Sequence, residues 1–251
     1  DGVRDGVLTG AGALLLVLSD GFVKRTMRSE PACALSAEGL CDPSRLDWPD
    51  RTVVGNASEA WRTVSDIGLY GAFALTAGLQ AVDVFGSSKG SWGEYGTDML
   101  VMHEALVVSG LMTSILKYAV RRPRPSQYSN AMPGRFGMFE HQLSFPSGHT
   151  SAAAALTTSY AATFGFRHPN SPWRWAVYGL AAFWTGMTAQ GRVGAGMHFY
   201  TDVLAGAVLG AACGVLVPWM HRRGVSLQPT SLGEMSGQNE SPLLVTLGMP
   251  F

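Results

Sequence analysis

Three short stretches of this 251-residue chain carry side chains that could act on an anion. The first is Phe145-Pro146-Ser147-Gly148-His149-Thr150, followed by a serine, four alanines and a leucine over 151–156. Proline fixes φ and lacks an N–H, which suits a chain about to enter a helix. Ser147 is a good N-cap, Gly148 lets the backbone come close to a bound group, and the alanines are strong helix formers. The spacing predicts a helix N-terminus with N–H groups pointing outward and His149 beside them. Unpaired donors and the positive end of the helix dipole coincide there, so the place favours anions. An ordinary capped helix with a chance histidine would read the same way.

The second stretch runs from Lys117 to Pro125 and holds Lys117, Arg121, Arg122 and Arg124 at the end of an apolar segment. Arginine gives bidentate contacts to phosphate oxygens and lysine a point charge, so a phosphate clamp is one reading. A basic helix end facing water or lipid headgroups is the other. The third stretch holds Gly191, Arg192, His198 and Asp202. His198 and Asp202 are four apart and would share a helix face. A carboxylate on one ring nitrogen leaves the other free and more basic, as a nucleophilic histidine requires. A plain His–Asp contact at a helix start is the simpler alternative.

In chain order these clusters read Lys-x6-Arg-Pro, Pro-Ser-Gly-His and Arg-x5-His-x3-Asp. On those residues the chain resembles the type 2 phosphatidic acid phosphatase superfamily, which also includes bacterial non-specific acid phosphatases and vanadium-dependent haloperoxidases. The resemblance covers about residues 95–220. It implies that His198 attacks phosphorus and forms a phosphohistidine, that Asp202 orients it, and that His149 protonates the leaving oxygen. It also implies that Lys117, Arg124, Ser147, the Gly148 N–H and Arg192 bind the phosphoryl oxygens. Arg122-Pro123 is a second Arg-Pro pair, two residues short of the family spacing from Lys117. Gly191 stands where the family has a serine. Elementary chemistry agrees: phosphoryl transfer is mostly positioning and electrostatics, and two arginines, a lysine and a helix N-terminus supply both. No metal-ligand spacing is visible, and no cofactor is expected.

The elements that must carry these residues are six apolar segments, near 6–23, 67–84, 95–120, 147–166, 173–189 and 198–219. The expected fold is all-α: a six-helix bundle of the type 2 phosphatidic acid phosphatase kind, embedded in a membrane. Residues 1–223 form one helical domain, with a loop insertion at 24–63 and a short helix near 57–62. Residues 224–251 form a tail with one potential strand at 243–247. Charged residues are only 14%, against roughly 25% in soluble domains. Formal net charge is zero, so nothing suggests a nucleic-acid partner. Several segments approach the length that spans a bilayer, 203–220 best of all. Basic residues leave orientation open. With the clusters outward, Arg4, Lys89, Arg167, Arg174, Arg222 and Arg223 lie inside, but Lys24, Arg25 and Arg28 lie outside.

The implied function is metal-independent hydrolysis of a lipid phosphate or diphosphate in a bacterial cell envelope. The enzyme would sit in the inner membrane with its site facing the periplasm. Candidate substrates are phosphatidic acid, phosphatidylglycerol phosphate, a polyprenyl diphosphate and lipid A. The alternatives are a soluble periplasmic acid phosphatase, a vanadate-dependent haloperoxidase and a non-catalytic phosphate-binding membrane protein. A serine hydrolase is disfavoured, since Ser147 lies in no Gly-x-Ser-x-Gly elbow. Secondary expectations are a His103–Glu104 buried pair and a surface position for His141. Trp173, Trp175 and Trp219 read either as interfacial anchors or as core. Cys33 and Cys41 read either as a local disulfide in an oxidising compartment or as two thiols. The sequons at Asn56 and Asn239 are discounted.

Overall fold

The computed structural model describes residues 6–7, 9–14, 33–88, 90–132 and 139–222. Five long helices make the bundle: α1 (Glu59–Phe85), α2 (Trp92–Val120), α3 (Gly148–Arg167), α4 (Trp173–Gly194) and α5 (Tyr200–Arg222). The described part of the expected first segment, 6–7 and 9–14, is also helical. Residues 133–138 of the loop before α3, and the potential strand at 243–247, lie outside the described residues. No strand occurs among the described residues, only an isolated bridge between Leu35 and Cys41. The short helix expected near 57–62 is instead the start of α1, because Ser58 caps it by accepting the Trp61 N–H. Ser91 caps α2 through the Glu94 N–H in the same way. Helix α2 ends at Arg121, whose φ of 50° is left-handed, and Pro123 then forbids continuation.

Helix α3 is the centre and touches all four other long helices, α5 most extensively. Its buried residues are small, among them Ser151, Ala153, Ala154, Ala155 and Ser159. Opposite them α5 presents Gly206, Gly210 and Gly214, one per helical turn. A Cβ on these glycines would lie 2.6 Å from Ser147 O, 2.1 Å from Ser151 O and 2.7 Å from Ala155 O. The two backbones are therefore in contact, as in membrane helix pairs built on small residues. Gly191 plays the same part between α4 and α1, where a Cβ would stand 2.8 Å from the Ser65 backbone N. This explains the departure from the family pattern: a serine side chain would push α1 away.

The chain enters α1 at the end where α3 begins, and the helices then alternate in direction. At the far end, Arg167 pairs with Asp83, Glu94 and Asp98, and His168 with Asp83. Three helices are long and apolar enough to cross a membrane: α1, α2 and α5. The chain is accordingly an integral membrane protein. Trp173 and Trp175 are 71% and 67% exposed and Trp219 36%, so core packing does not explain them. Trp92, at 77%, joins them at the far end, while Trp48 and Trp61 are exposed at the near end. Tryptophans at both ends of a bundle suit two membrane interfaces. Cys33 and Cys41 are joined as a disulfide.

The glycine seam makes a direct expectation. Gly210→Ala forces α5 off α3 and should cost about 1–3 kcal/mol, the usual penalty for overpacking. Gly78→Ala, where a Cβ meets nothing within 4 Å, should be neutral. Thermal unfolding in detergent compares the two.

Candidate active site

Helix α2 ends by delivering Lys117, and the turn after it delivers Arg122 and Arg124. Lys117 Nζ donates to Leu143 O at 3.1 Å. The Arg124 N–H donates to His141 O at 2.8 Å, and the Ser144 N–H to Arg122 O at 2.8 Å. The segment 141–147 thus runs alongside 122–124 and feeds into α3. The first turn of α3 then meets Lys117, since a Cβ on Gly148 would lie 3.9 Å from Lys117 Cε. Ser147 sits at the N-cap position, but its side chain caps no N–H; its Oγ accepts from Thr150 Oγ1 instead. No side chain therefore covers the donors of that turn, which suits an anion better than the expected serine cap.

The third cluster is not helical at His198. The chain turns after α4, with the N–H groups of Met197 and His198 returning to Arg192 O. Gly196 makes the turn at φ 64°, where a Cβ would strike Asn56 O. The His198 ring is 1% exposed, and its Nδ1 lies 2.7 Å from Ser144 O. A carbonyl can only accept, so Nδ1 carries the proton and Nε2 keeps its lone pair. The expected His198–Asp202 hydrogen bond is replaced: Nδ1 to Asp202 Oδ2 is 3.7 Å.

Asp202 is fully buried and holds the loop rather than the ring. Its carboxylate accepts from Arg122 at 2.6 Å, the Phe199 N–H at 2.9 Å and Ser144 Oγ at 2.5 Å. Its backbone carbonyl accepts the Ser147 N–H at 3.0 Å. Arg122 forks to a second buried carboxylate, Asp50, at 2.7 Å, while lying over the Phe199 ring. Asp50 in turn accepts from the Thr201 N–H and hydroxyl.

The pocket is strongly cationic. Burial and then Arg124, Arg192, Lys117 and His149 push the His198 imidazole well below its usual range. His149, in the first turn of α3 and outside the three apolar spans, is pushed down to about 4 by burial and then Arg192, against the pull of Asp66. Asp66 Oδ1 is 3.2 Å from His149 Nε2 and 3.9 Å from Arg192. Arg192 is 5% exposed, and its Nε has no hydrogen-bond partner among the described residues.

The structure thus brings together His198, His149, Lys117, Arg124, Ser147, Gly148 and Arg192, with Asp202 behind them. Sequence reasoning missed Ser144, Asp50 and Asp66 and set Arg122 aside. A serine or aspartate outside a motif carries no signal; only the two successive Arg-Pro pairs hinted at Arg122. Two side expectations are corrected. His141 is buried at 6% exposure and bonded to Ser126, not on the surface, because its loop is pinned under Arg124. His103 and Glu104 do not pair: adjacent helix positions point apart, so His103 meets Met99 O and Glu104 meets His221. Among the described residues, no group of three or more His, Cys, Asp or Glu could hold a metal ion.

A family model described as the PAP2 superfamily matches residues 98–225, about half the chain. The chain belongs to that superfamily. It is 36% identical over 110 residues to a lipid A 1-phosphatase of Rhizobium johnstonii, covering 42% of this chain and 41% of that protein. It is 33% identical over 127 residues to a lipid A 1-phosphatase of Rhizobium etli, covering 47% and 48%. The chain thus spans less than half the length of either relative. Among solved structures, a transmembrane PAP2-type phosphatidylglycerolphosphate phosphatase of Bacillus subtilis superposes with a TM-score of 0.50 and 25% identity. That match covers 69% of this chain and 82% of the other.

Two outcomes follow from the geometry. Arg122→Ala strands two buried carboxylates and should cost about 3–5 kcal/mol in thermal unfolding. The second concerns pH. Below the ordinary histidine value of 6.5 the unfolded chain takes up a proton at His149, which the folded chain refuses until about pH 4. Stability therefore falls as pH drops through that window. A bound dianion reverses the penalty by favouring the imidazolium. Sulfate, whose charge is constant there, should raise the melting temperature more at pH 5 than at pH 7.5. His149→Gln should flatten the difference.

Proposed function

We propose that this PAP2 superfamily member removes the phosphate from a phosphorylated membrane lipid through a phosphohistidine on His198. The observation that carries the reading is the proton placement on His198. Its Nδ1–H is committed to Ser144 O, so Nε2 faces the cationic pocket with its lone pair. The phosphoryl group would lie among Lys117, Arg124, Arg192 and the first turn of α3, where its equatorial oxygens meet fixed positive charge. Nε2 attacks phosphorus and the bond to the lipid oxygen breaks. A bound phosphate raises the proton affinity of His149, which then protonates the departing oxygen. Water attacks the phosphohistidine, gives its proton back to His149, and inorganic phosphate leaves with His198 restored. Asp66 orients His149. Asp202 acts through Ser144 and the Phe199 N–H, keeping the Ser144 carbonyl under the ring.

The lipid part rests on three apolar spans around the site and on relatives named as lipid A 1-phosphatases. Lipid A carrying a 1-phosphate is therefore the first substrate to test, with phosphatidylglycerol phosphate beside it. The disulfide supports a placement. The Cys41 N–H bonds to Gln127 O, three residues past Arg124, so the Cys33–Cys41 bridge and the site lie on one side of the membrane. Disulfides persist in oxidising compartments, which favours a site facing the periplasm.

In detergent micelles, His198→Ala should lower phosphate release from lipid A 1-phosphate by about 10³-fold or more. Chelator should leave the wild-type rate unchanged. A fully active His198→Ala protein, or loss of activity with EDTA, would overturn the mechanism.

A further inference from the structure

Helices α4 and α5 are consecutive, yet they make few contacts along their length. Between them, floored by Ala154 and Thr158 of α3, lies a groove of about 720 Å³. Its walls are almost wholly apolar or small, including Ala182, Gly186, Leu204 and Ala207. Leu204 and Val208 on its rim are 65% and 63% exposed. The sequence read these helices only as spans, and the chemistry described above makes no use of the space.

Two features say what fills it. The first is continuity. The groove begins at Ala189, one helical turn before Arg192, and at Tyr200 and Val203, which flank Asp202. Its mouth thus opens beside the phosphate pocket. The second is length. It runs from Ala189 to Tyr178 along α4 and from Tyr200 to Ala211 along α5. Each is about 16 Å of helix at 1.5 Å per residue. Half of the roughly 30 Å hydrocarbon core is one leaflet, about 15 Å. A channel that starts at the phosphate site and descends one leaflet has the dimensions of a lipid's hydrocarbon tail.

We propose that this groove holds an acyl chain of the substrate itself while the phosphate sits among Lys117, Arg124 and Arg192. The proposal rests on the reading of that site as a lipid phosphatase and adds where the tail goes. It assigns α4 and α5 a role in substrate selection. Turnover should depend on chain length because the groove offers a fixed apolar contact that a short chain cannot fill.

Gly186 gives a clean test. It lines the groove, and a Cβ there meets nothing within 4 Å, so Gly186→Trp fills the space without striking backbone. Gly179, on the same helix, is equally open but does not line the groove, so Gly179→Trp is the control. Both would be assayed on dipalmitoyl and dibutyryl phosphatidic acid in detergent micelles. Gly186→Trp should lower kcat/KM on the long-chain ester by about tenfold, chiefly through KM. It should leave the short-chain ester and the Gly179→Trp protein at wild-type rates. Unchanged long-chain kinetics in Gly186→Trp would overturn the proposal. So would an equal loss on both esters. So would a change of oligomeric state with chain-length-independent kinetics, which would make the groove an interface between copies. Wild-type protein inactive on both esters and also on lipid A 1-phosphate and phosphatidylglycerol phosphate would remove the phosphatase reading itself, which separates that failure from failure of the groove.

Discussion

A carboxylate wholly removed from water must be satisfied by protein alone, and at Asp202 that requirement organises the molecule. Its donors come from three separated stretches: Arg122 after α2, Ser144 before α3, and the Phe199 N–H before α5. Only the last is local to the start of α5; the other two come from 58 and 80 residues away along the chain. Each donor also does a second job. Arg122 reaches Asp50 and so ties down the disulfide-bonded loop. Ser144 presents its carbonyl to His198. The Phe199 N–H fixes the loop on which His198 is carried. Satisfying one buried charge therefore brings three distant segments to the same point.

Around that neutralised knot the balance of charge changes sign. Asp50 and Asp202 are spent on Arg122, which leaves Lys117, Arg124 and Arg192 facing His198 with Asp66 as the nearby acid. Burial and the cations beside the two histidines disfavour the protonated form of both imidazoles. In the proposed mechanism a neutral His198 would serve as the nucleophile, whereas His149 would need a proton before it could donate to a leaving group. A phosphoryl dianion bound there would offset the cations and raise the proton affinity of His149. On that proposal the substrate's own charge would switch on the acid, so the two histidines would need no permanent difference in environment to play opposite parts.

How much of this could be read from the residues depends on which force decides each feature. The order of the five long helices was legible, because apolar runs and Pro123 act locally, whereas the Ser58 cap that starts α1 was passed over. The motif residues stood out because their types and order match a family pattern, and the fold gathers them around one pocket. The supporting residues did not. Asp50, Asp66 and Ser144 are chosen by contacts across 58 to 151 residues of chain, and no local pattern marks them. His198–Asp202 was misread for a related reason. Helical spacing puts them on one face, but α5 begins only at Tyr200, so the ring is free to turn towards Ser144. Gly191 departs from the family's serine without touching the chemistry, and its missing side chain is what lets α1 approach α4.

The glycine seam links packing to chemistry and to the membrane. In lipid, helices gain little from hiding apolar surface, so close backbone contact must hold α3 and α5 together. Gly206 is the first glycine of that seam and meets Ser147 O, one residue before the anion-facing turn. The same contact therefore secures the pair of helices and sets the height of the turn relative to Asp202. Helix α4 makes no comparable seam with α5 and stays apart, leaving the groove that opens to the bilayer. Small residues thus have two uses in one bundle. Where they face backbone they close a contact beneath the first turn of α3, and where they face nothing they leave the groove that the proposal fills with the substrate's hydrocarbon.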